Sequence, residues 1–191
     1  MDAEGLRQLG EDLATHLDEG KVSGWRSGPV WRGGGLTVTG THAGRTVWMT
    51  LHAWNELKTA VCHRASCRWL VVRNTPTTRL GFLRGARVAT GNQEFDRRYL
   101  VRSQGGLDLR LLLERSDIMA LLPRLEPFFE VRAEPGLLLH YRNVRQWEQL
   151  GAGDILTPLE VLAGLADILE EAAADRSNAA GKEPPAGMEE S

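Results

Sequence analysis

Apolar residues recur along this chain in two rhythms. Leu6, Leu9, Leu13 and Leu17 fall at steps of three and four among polar Arg7, Gln8, Glu11 and Asp12, which predicts an N-terminal helix with one narrow buried stripe. Gly20 is its expected stop. The rhythm then shortens to two across a glycine-rich stretch of β-formers, roughly 28–54. Leu36 and Val38 alternate with Thr37 and Thr39, the segment 40–44 supplies a turn, and 45–54 alternates again. In that second strand Val47, Met49, Leu51 and Ala53 line one face, and Trp48, Thr50, His52 and Trp54 the other. Bulky side chains on both faces predict a strand covered on both sides, or one that offers an aromatic surface to a partner.

Two short strands are expected at 69–72 and 80–83, joined by turn chemistry in Asn74-Thr75-Pro76-Thr77-Thr78. The segment 95–103 reads as a further strand, with Phe95, Tyr99 and Val101 on one side. Residues 107–125 are Leu-rich and helical in character, interrupted around Ser116-Asp117 and closed early by Pro123. The clearest hairpin is 128–141, where Glu134-Pro135-Gly136-Leu137 suits a type II turn. Thr157-Pro158-Leu159-Glu160 reads as a capping box opening a last helix, with Leu162, Leu165, Ala166 and Leu169 on its apolar face. From Arg176 onward the composition cannot offset its ordering entropy, so 176–191 is expected to be a disordered tail. The expected architecture is one α+β domain over 1–175. It has an antiparallel sheet with N-terminal and C-terminal helices packed on it, a central Leu-rich helical segment and a late β-hairpin.

With 191 residues, 42% hydrophobic, and a formal net charge of −2, the composition is that of a globular domain. There is no apolar run of the roughly eighteen residues that a membrane-spanning helix needs. The acidic opening Met1-Asp2-Ala3-Glu4-Gly5 predicts no secretory signal and a cytoplasmic chain. The charge itself is segregated. Residues 1–20 carry one basic and six acidic side chains, 21–104 fourteen basic against three acidic, and 146–191 two basic against ten acidic. Either the acidic ends neutralise the basic middle within the monomer, or the middle faces an anionic partner such as nucleic acid, a lipid surface or an acidic protein. Arg64, Arg68, Arg73, Arg79, Arg84, Arg87, Arg97 and Arg98 are the residues on which the second reading rests.

Little in the chain suggests catalysis. Cys62 and Cys67 enclose His63, but one Cys-x4-Cys pair lacks the two close pairs of a structural zinc site and the spacing of a redox dithiol. Gly33-Gly34-Gly35 leads into a strand, not into the helix that a phosphate-cradling loop requires. Glu94 and Asp96 could act together as a carboxylate pair on one face of a strand, yet Arg97 and Arg98 beside them point to ion pairing. Five of the six tryptophans fall in the basic block, a pattern shared by base-stacking platforms and by the cores of small antiparallel sheets. No catalytic residue, metal site or cofactor is therefore expected.

The segment Gly91-Asn92-Gln93-Glu94-Phe95-Asp96-Arg97-Arg98-Tyr99-Leu100-Val101, the Leu-rich stretch 107–125 and the hairpin 128–141 together resemble the C-terminal part of an uncharacterised bacterial family. Its members are commonly tethered by transmembrane helices and carry a soluble α+β domain. The resemblance implies a non-catalytic module, and this chain departs from the family by lacking the membrane helices. The element order is also similar to that of secretion-type chaperones, although this chain has more strands. The expected function is a non-enzymatic protein-interaction, scaffold or chaperone-like module of the bacterial cytoplasm. Trp48, His52 and Trp54 form its expected partner-binding site, and a homo-oligomer is compatible with that reading. The alternative is a binder of nucleic acid or an anionic surface through 21–104.

Overall fold

The computed structural model describes residues 3–24, 34–52, 55–81, 87–106 and 115–180. The first leucine stripe forms helix α1 (Ala3–Thr15), and Leu6, Leu9, Leu13 and the following Leu17 are all buried. Gly20 does not stop this helix. The chain has already turned through the His16 and Leu17 N–H groups, bonded to Leu13 and Ala14 carbonyls. Gly20 lies in strand β1 (Asp18–Ser23), so near Ala14 that a Cβ there would collide with the Ala14 carbonyl.

Strands β2 (Gly35–His42) and β3 (Arg45–His52) form the expected hairpin. Its two-residue turn is Ala43-Gly44, both at positive φ, the geometry that matches strand twist. Strands β4 (Glu56–Cys62) and β5 (Cys67–Arg73) follow; β4, like β1, had no clear alternation to announce it. The expected strand at 80–83 is replaced by a short helix, α2 (Pro76–Gly81), with 82–83 outside the described residues. Thr75 and Thr78 explain this, because each hydroxyl accepts the other residue's backbone N–H, at 2.8 and 3.2 Å, while Pro76 opens the first turn.

After β6 (Arg87–Val88), the expected strand 95–103 is also corrected. Residues Gln93–Arg98 form helix α3, and only from Tyr99 does the chain extend, as β7 (Tyr99–Gly106). Asn92 causes the switch, its Oδ1 accepting from the N–H groups of Glu94 and Phe95, both at 3.1 Å. Helix α4 (Ser116–Leu121) and a 3-10 turn (Leu122–Leu125) represent the described part of the Leu-rich segment. The late hairpin is as expected, β8 (Glu130–Glu134) and β9 (Leu137–Asn143), with Gly136 at φ 84° in its turn. Helix α5 (Ala152–Ala180) starts a turn and a half before Thr157 and contains Pro158. The capping interaction lies earlier than expected. Asp154 Oδ2 accepts the Gly151 N–H at 3.0 Å, while the Thr157 hydroxyl bonds back to the Gly153 carbonyl. The helix also runs past 175, so residues 176–180 belong to it and not to a tail.

The nine strands of the described residues join one antiparallel sheet in the order β1-β2-β3-β4-β9-β8-β5-β7-β6. The late hairpin is inserted between β4 and β5, which are neighbours in sequence but not in space. Val38, Met49, Leu57, Val61, Val131, Leu138, Val71 and Val101 line one face. On that face sit α1, at Leu36 and Val38 through Gly10, and α5 through Ile155, Leu159, Leu162, Leu165 and Leu169. Phe95 of α3 and Phe128 stack about Tyr99 at 4.9 and 4.7 Å between ring centroids. The architecture is α+β, with its terminal helices on the same side of the sheet.

Candidate interaction surface

Because side chains alternate along a strand, burying Val47, Met49 and Leu51 under the helices sends Trp48, Thr50 and His52 to the other face. Strand register then extends this face into a row. Thr39 lies opposite Trp48, Trp48 opposite Ala60, and Ala60 opposite Leu139. Leu139 faces Arg132, Arg132 faces Leu70, Leu70 faces Arg102 and Arg102 faces Arg87. Eight strands contribute, spanning roughly 33 Å at the usual inter-strand spacing. Its first half is apolar and aromatic, its second half basic. Ala60 and Leu139 are buried, whereas Trp48, Thr50, Lys58, Tyr141 and Arg132 are half-buried.

The parallel row beside it runs Thr50, Lys58, Tyr141 and Glu130. Lys58 holds its ammonium 5.4 Å from the Tyr141 ring centroid, and the Phe129 ring lies 5.7 Å from the same ring. Arg132 is clamped between its strand neighbours, 2.6 Å from Glu130 and 3.3 Å from Glu134. His52 is half-buried at the end of β3, between Gly35 and Glu56. The structure therefore places Trp48 and His52 on one face, four residues apart with Thr50 between them, and Trp54 lies outside the described residues.

The arginines expected to meet an anion fall in three places. Arg68 and Arg87 are exposed on the face just described. Arg64 lies in the β4–β5 loop, where its backbone N–H donates to Glu170 at 2.7 Å. Arg73, Arg79, Arg97 and Arg98 gather around Asn74, which bonds to the Arg97 and Arg98 carbonyls and accepts from Arg79. Arg98 is engaged with Glu126 at 2.5 Å, and Tyr99 donates to the same carboxylate. Arg84 is outside the described residues. Glu94 and Asp96 do not form an acid–base pair. Asp96 accepts from the Thr90 N–H and hydroxyl, while Glu94 faces Arg98 at 3.9 Å.

Sheet order also separates the cysteines. Cys62 ends β4 and Cys67 begins β5, with the inserted hairpin between them. Three strand spacings, about 14 Å, are too many for a disulfide or a shared metal ion. The connecting loop arches over the hairpin turn, the His63 N–H donating to the Gly136 carbonyl at 3.1 Å. His63 Nδ1 accepts the Ala65 N–H, and burial lowers its pKa. Burial pushes the Cys67 thiol up to about 11, so it is protonated at neutral pH. Among the described residues no cluster of three or more His, Cys, Asp or Glu side chains could hold a metal.

Two features were not foreseen from sequence. The Arg45 guanidinium, half-buried at the start of β3, is held by Glu170 at 2.8 and 3.0 Å, by Asp167 at 2.5 Å and by the Cys62 carbonyl. The Glu170 carboxyl falls to about 2, chiefly through its hydrogen bonds from Arg45. This is how the acidic C-terminal helix neutralises part of the basic middle. The second is a cleft beneath the end of β9 that draws in Arg142 and Arg145; its only signal in the sequence is the Arg-Asn-Val-Arg-Gln run directly after the hairpin.

No protein-family model and no curated protein matches the chain. Among solved structures, the chain is similar to the mycobacterial trehalose monomycolate transport factor A, TtfA, with a TM-score of 0.60 at 12% identity. The likeness covers 88% of this chain and 96% of that one. What the two share is the fold: a mixed α+β domain matched over nearly its full length.

Proposed function

We propose that this chain is a non-enzymatic protein-interaction module, scaffold- or chaperone-like, which docks a partner on the sheet face opposite α1 and α5. The observation that carries this reading is the cross-strand row from Trp48 to Arg87, with its apolar and basic halves. Half-buried Trp48 and Tyr141 supply rigid aromatic area of the kind that dominates binding energy. Exposed Arg68 and Arg87 at the other end favour a partner segment that is apolar in one part and acidic in the next. The shared fold with a transport factor supports an accessory role over catalysis, as does the engagement of Asp96 and the Cys62–Cys67 separation in purely structural roles.

The test is affinity capture from native lysate by the wild-type chain and by Trp48→Glu. Washes at low and high salt, with and without nuclease, accompany both. Trp48 is only half-buried, so the variant is expected to keep its circular dichroism and melting transition. The proposal expects a protein partner that survives high salt and nuclease with the wild type and is lost with Trp48→Glu. Material removed by nuclease or by salt would support nucleic-acid or anionic-surface binding through the arginines instead. Equal retention by both chains would refute docking at Trp48.

A further inference from the structure

At the end of β9 the chain leaves Asn143, passes Trp147 and enters α5, while the segment before β8 approaches from the other side. Between them lies a cleft of about 570 Å3, within the size range of small-ligand sites. Three arginines line it, Arg73 from the end of β5, Arg142 from β9 and Arg145 from the following loop. The one carboxylate in the lining, Asp154, is engaged by the Gly151 N–H. Arg73 and Arg145 are exposed and form no ion pair among the described residues. Four other arginines, Arg45, Arg98, Arg115 and Arg132, each meet two carboxylates. Here like charges converge without that relief, and the first turn of a 29-residue helix adds the positive end of its dipole. The remaining wall is mixed, with Asn143, Gln146 and Gln149 beside the apolar Phe129 and Leu150.

We propose that this cleft binds a phosphate-type anion carried on a short apolar stem. Arg73 and Arg145 take the anionic oxygens, for which planar guanidinium donors are suited. Arg142 is a positioning residue, tied at Nη1 to the Asp154 carbonyl at 3.3 Å. Phe129 and Leu150 receive the stem. A soluble alkyl phosphate and a phospholipid headgroup both offer this chemistry. The cleft meets the docking face where the Phe129 ring packs on Tyr141. Its arginines are not part of the Trp48-to-Arg87 row, so its failure would leave the docking proposal intact.

The experiment is calorimetric titration of the full chain with inorganic phosphate and with hexyl phosphate. A parallel arm measures co-sedimentation with vesicles of phosphatidylcholine alone or mixed with phosphatidylglycerol. Hexyl phosphate should bind at least about tenfold more tightly than inorganic phosphate, each buried methylene adding favourable transfer. Arg73→Ala and Arg145→Ala, both exposed in the fold, should each weaken binding about tenfold. Phe129→Ala should weaken hexyl phosphate but not inorganic phosphate. Binding to phosphatidylglycerol vesicles that falls in the same variants identifies a lipid headgroup; hexyl phosphate binding without vesicle binding identifies a soluble ligand. The proposal is overturned if neither hexyl phosphate nor anionic vesicles bind, or if both arginine variants bind as the wild type does.

Discussion

Arg142 and Pro158 are coupled through a single carbonyl. In a regular helix the N–H of residue 158 would bond to the oxygen of Asp154, but proline has none. The guanidinium of Arg142 takes that place, its Nη1 donating to the Asp154 oxygen at 3.3 Å. The Thr157 hydroxyl adds a second side-chain bond in the same turn, to Gly153 at 2.9 Å. A proline inside α5 is thereby accommodated next to the sheet strand that compensates for it.

This predicts non-additivity. Arg142→Met should cost about 1 kcal/mol by orphaning the Asp154 carbonyl. Pro158→Ala restores a backbone donor, so the same arginine substitution should cost markedly less in that background. Urea denaturation of the four chains of the double-mutant cycle measures the coupling, and strict additivity would show that the two residues act independently.

A reader of the sequence could place α1, the β2–β3 hairpin, the β8–β9 hairpin and the body of α5, because each carries a strong local period or turn. Trp48 and His52 were correctly assigned to one face for the same reason. What escaped was set by capping side chains or by long-range pairing. Asn92 and the Thr75–Thr78 pair turned two expected strands into helices. The Lys58 side of β4 gained its identity only from pairing with β3 and β9. The insertion of the late hairpin between β4 and β5, which parts the two cysteines, has no local signature at all. Nor has Arg45 meeting Glu170, residues 125 positions apart.

That ion pair makes the fold acid-sensitive. The Glu170 carboxyl sits at about 2 when folded, below its ordinary value of 4.5. The contribution is therefore complete above pH 4.5 and disappears as pH falls toward 2. Glu170→Gln should cost roughly 1–3 kcal/mol at pH 7, and the penalty should shrink over that interval. Asp167→Asn should cost less, since Asp167 is 71% exposed. Thermal melts from pH 7 to pH 2.5 check both; a penalty for Glu170→Gln that stays constant with pH would refute the assignment.

His140 acts at higher pH. It is fully buried on β9, Nε2 donating to the Leu125 carbonyl at 3.0 Å, and burial lowers its pKa to about 4. The unfolded chain binds the proton first, so stability declines as pH drops from about 6.5 to 4, by about 3 kcal/mol at full extent. NMR titration of the ring should show His140 neutral at pH 5.5, and its protonation at that pH in the folded state would contradict this.

The cysteines give a chemical check. Buried Cys67, with its thiol raised to about 11, should resist alkylation at pH 8 in the folded protein. Iodoacetamide labelling followed by mass mapping should modify at most Cys62 under native conditions and both residues in denaturant. Rapid native labelling of Cys67 would show that the start of β5 is open.

The central claim concerns the face that bears Trp48. It is tested most directly by hydroxyl-radical footprinting of the chain, alone and saturated with the partner recovered by capture. Docking on the Trp48 face predicts protection of Trp48, His52 and Tyr141, with the exposed side chains of α1 and α5 unchanged. Protection confined to α1 or α5, with Trp48 as reactive as in the free chain, would contradict it.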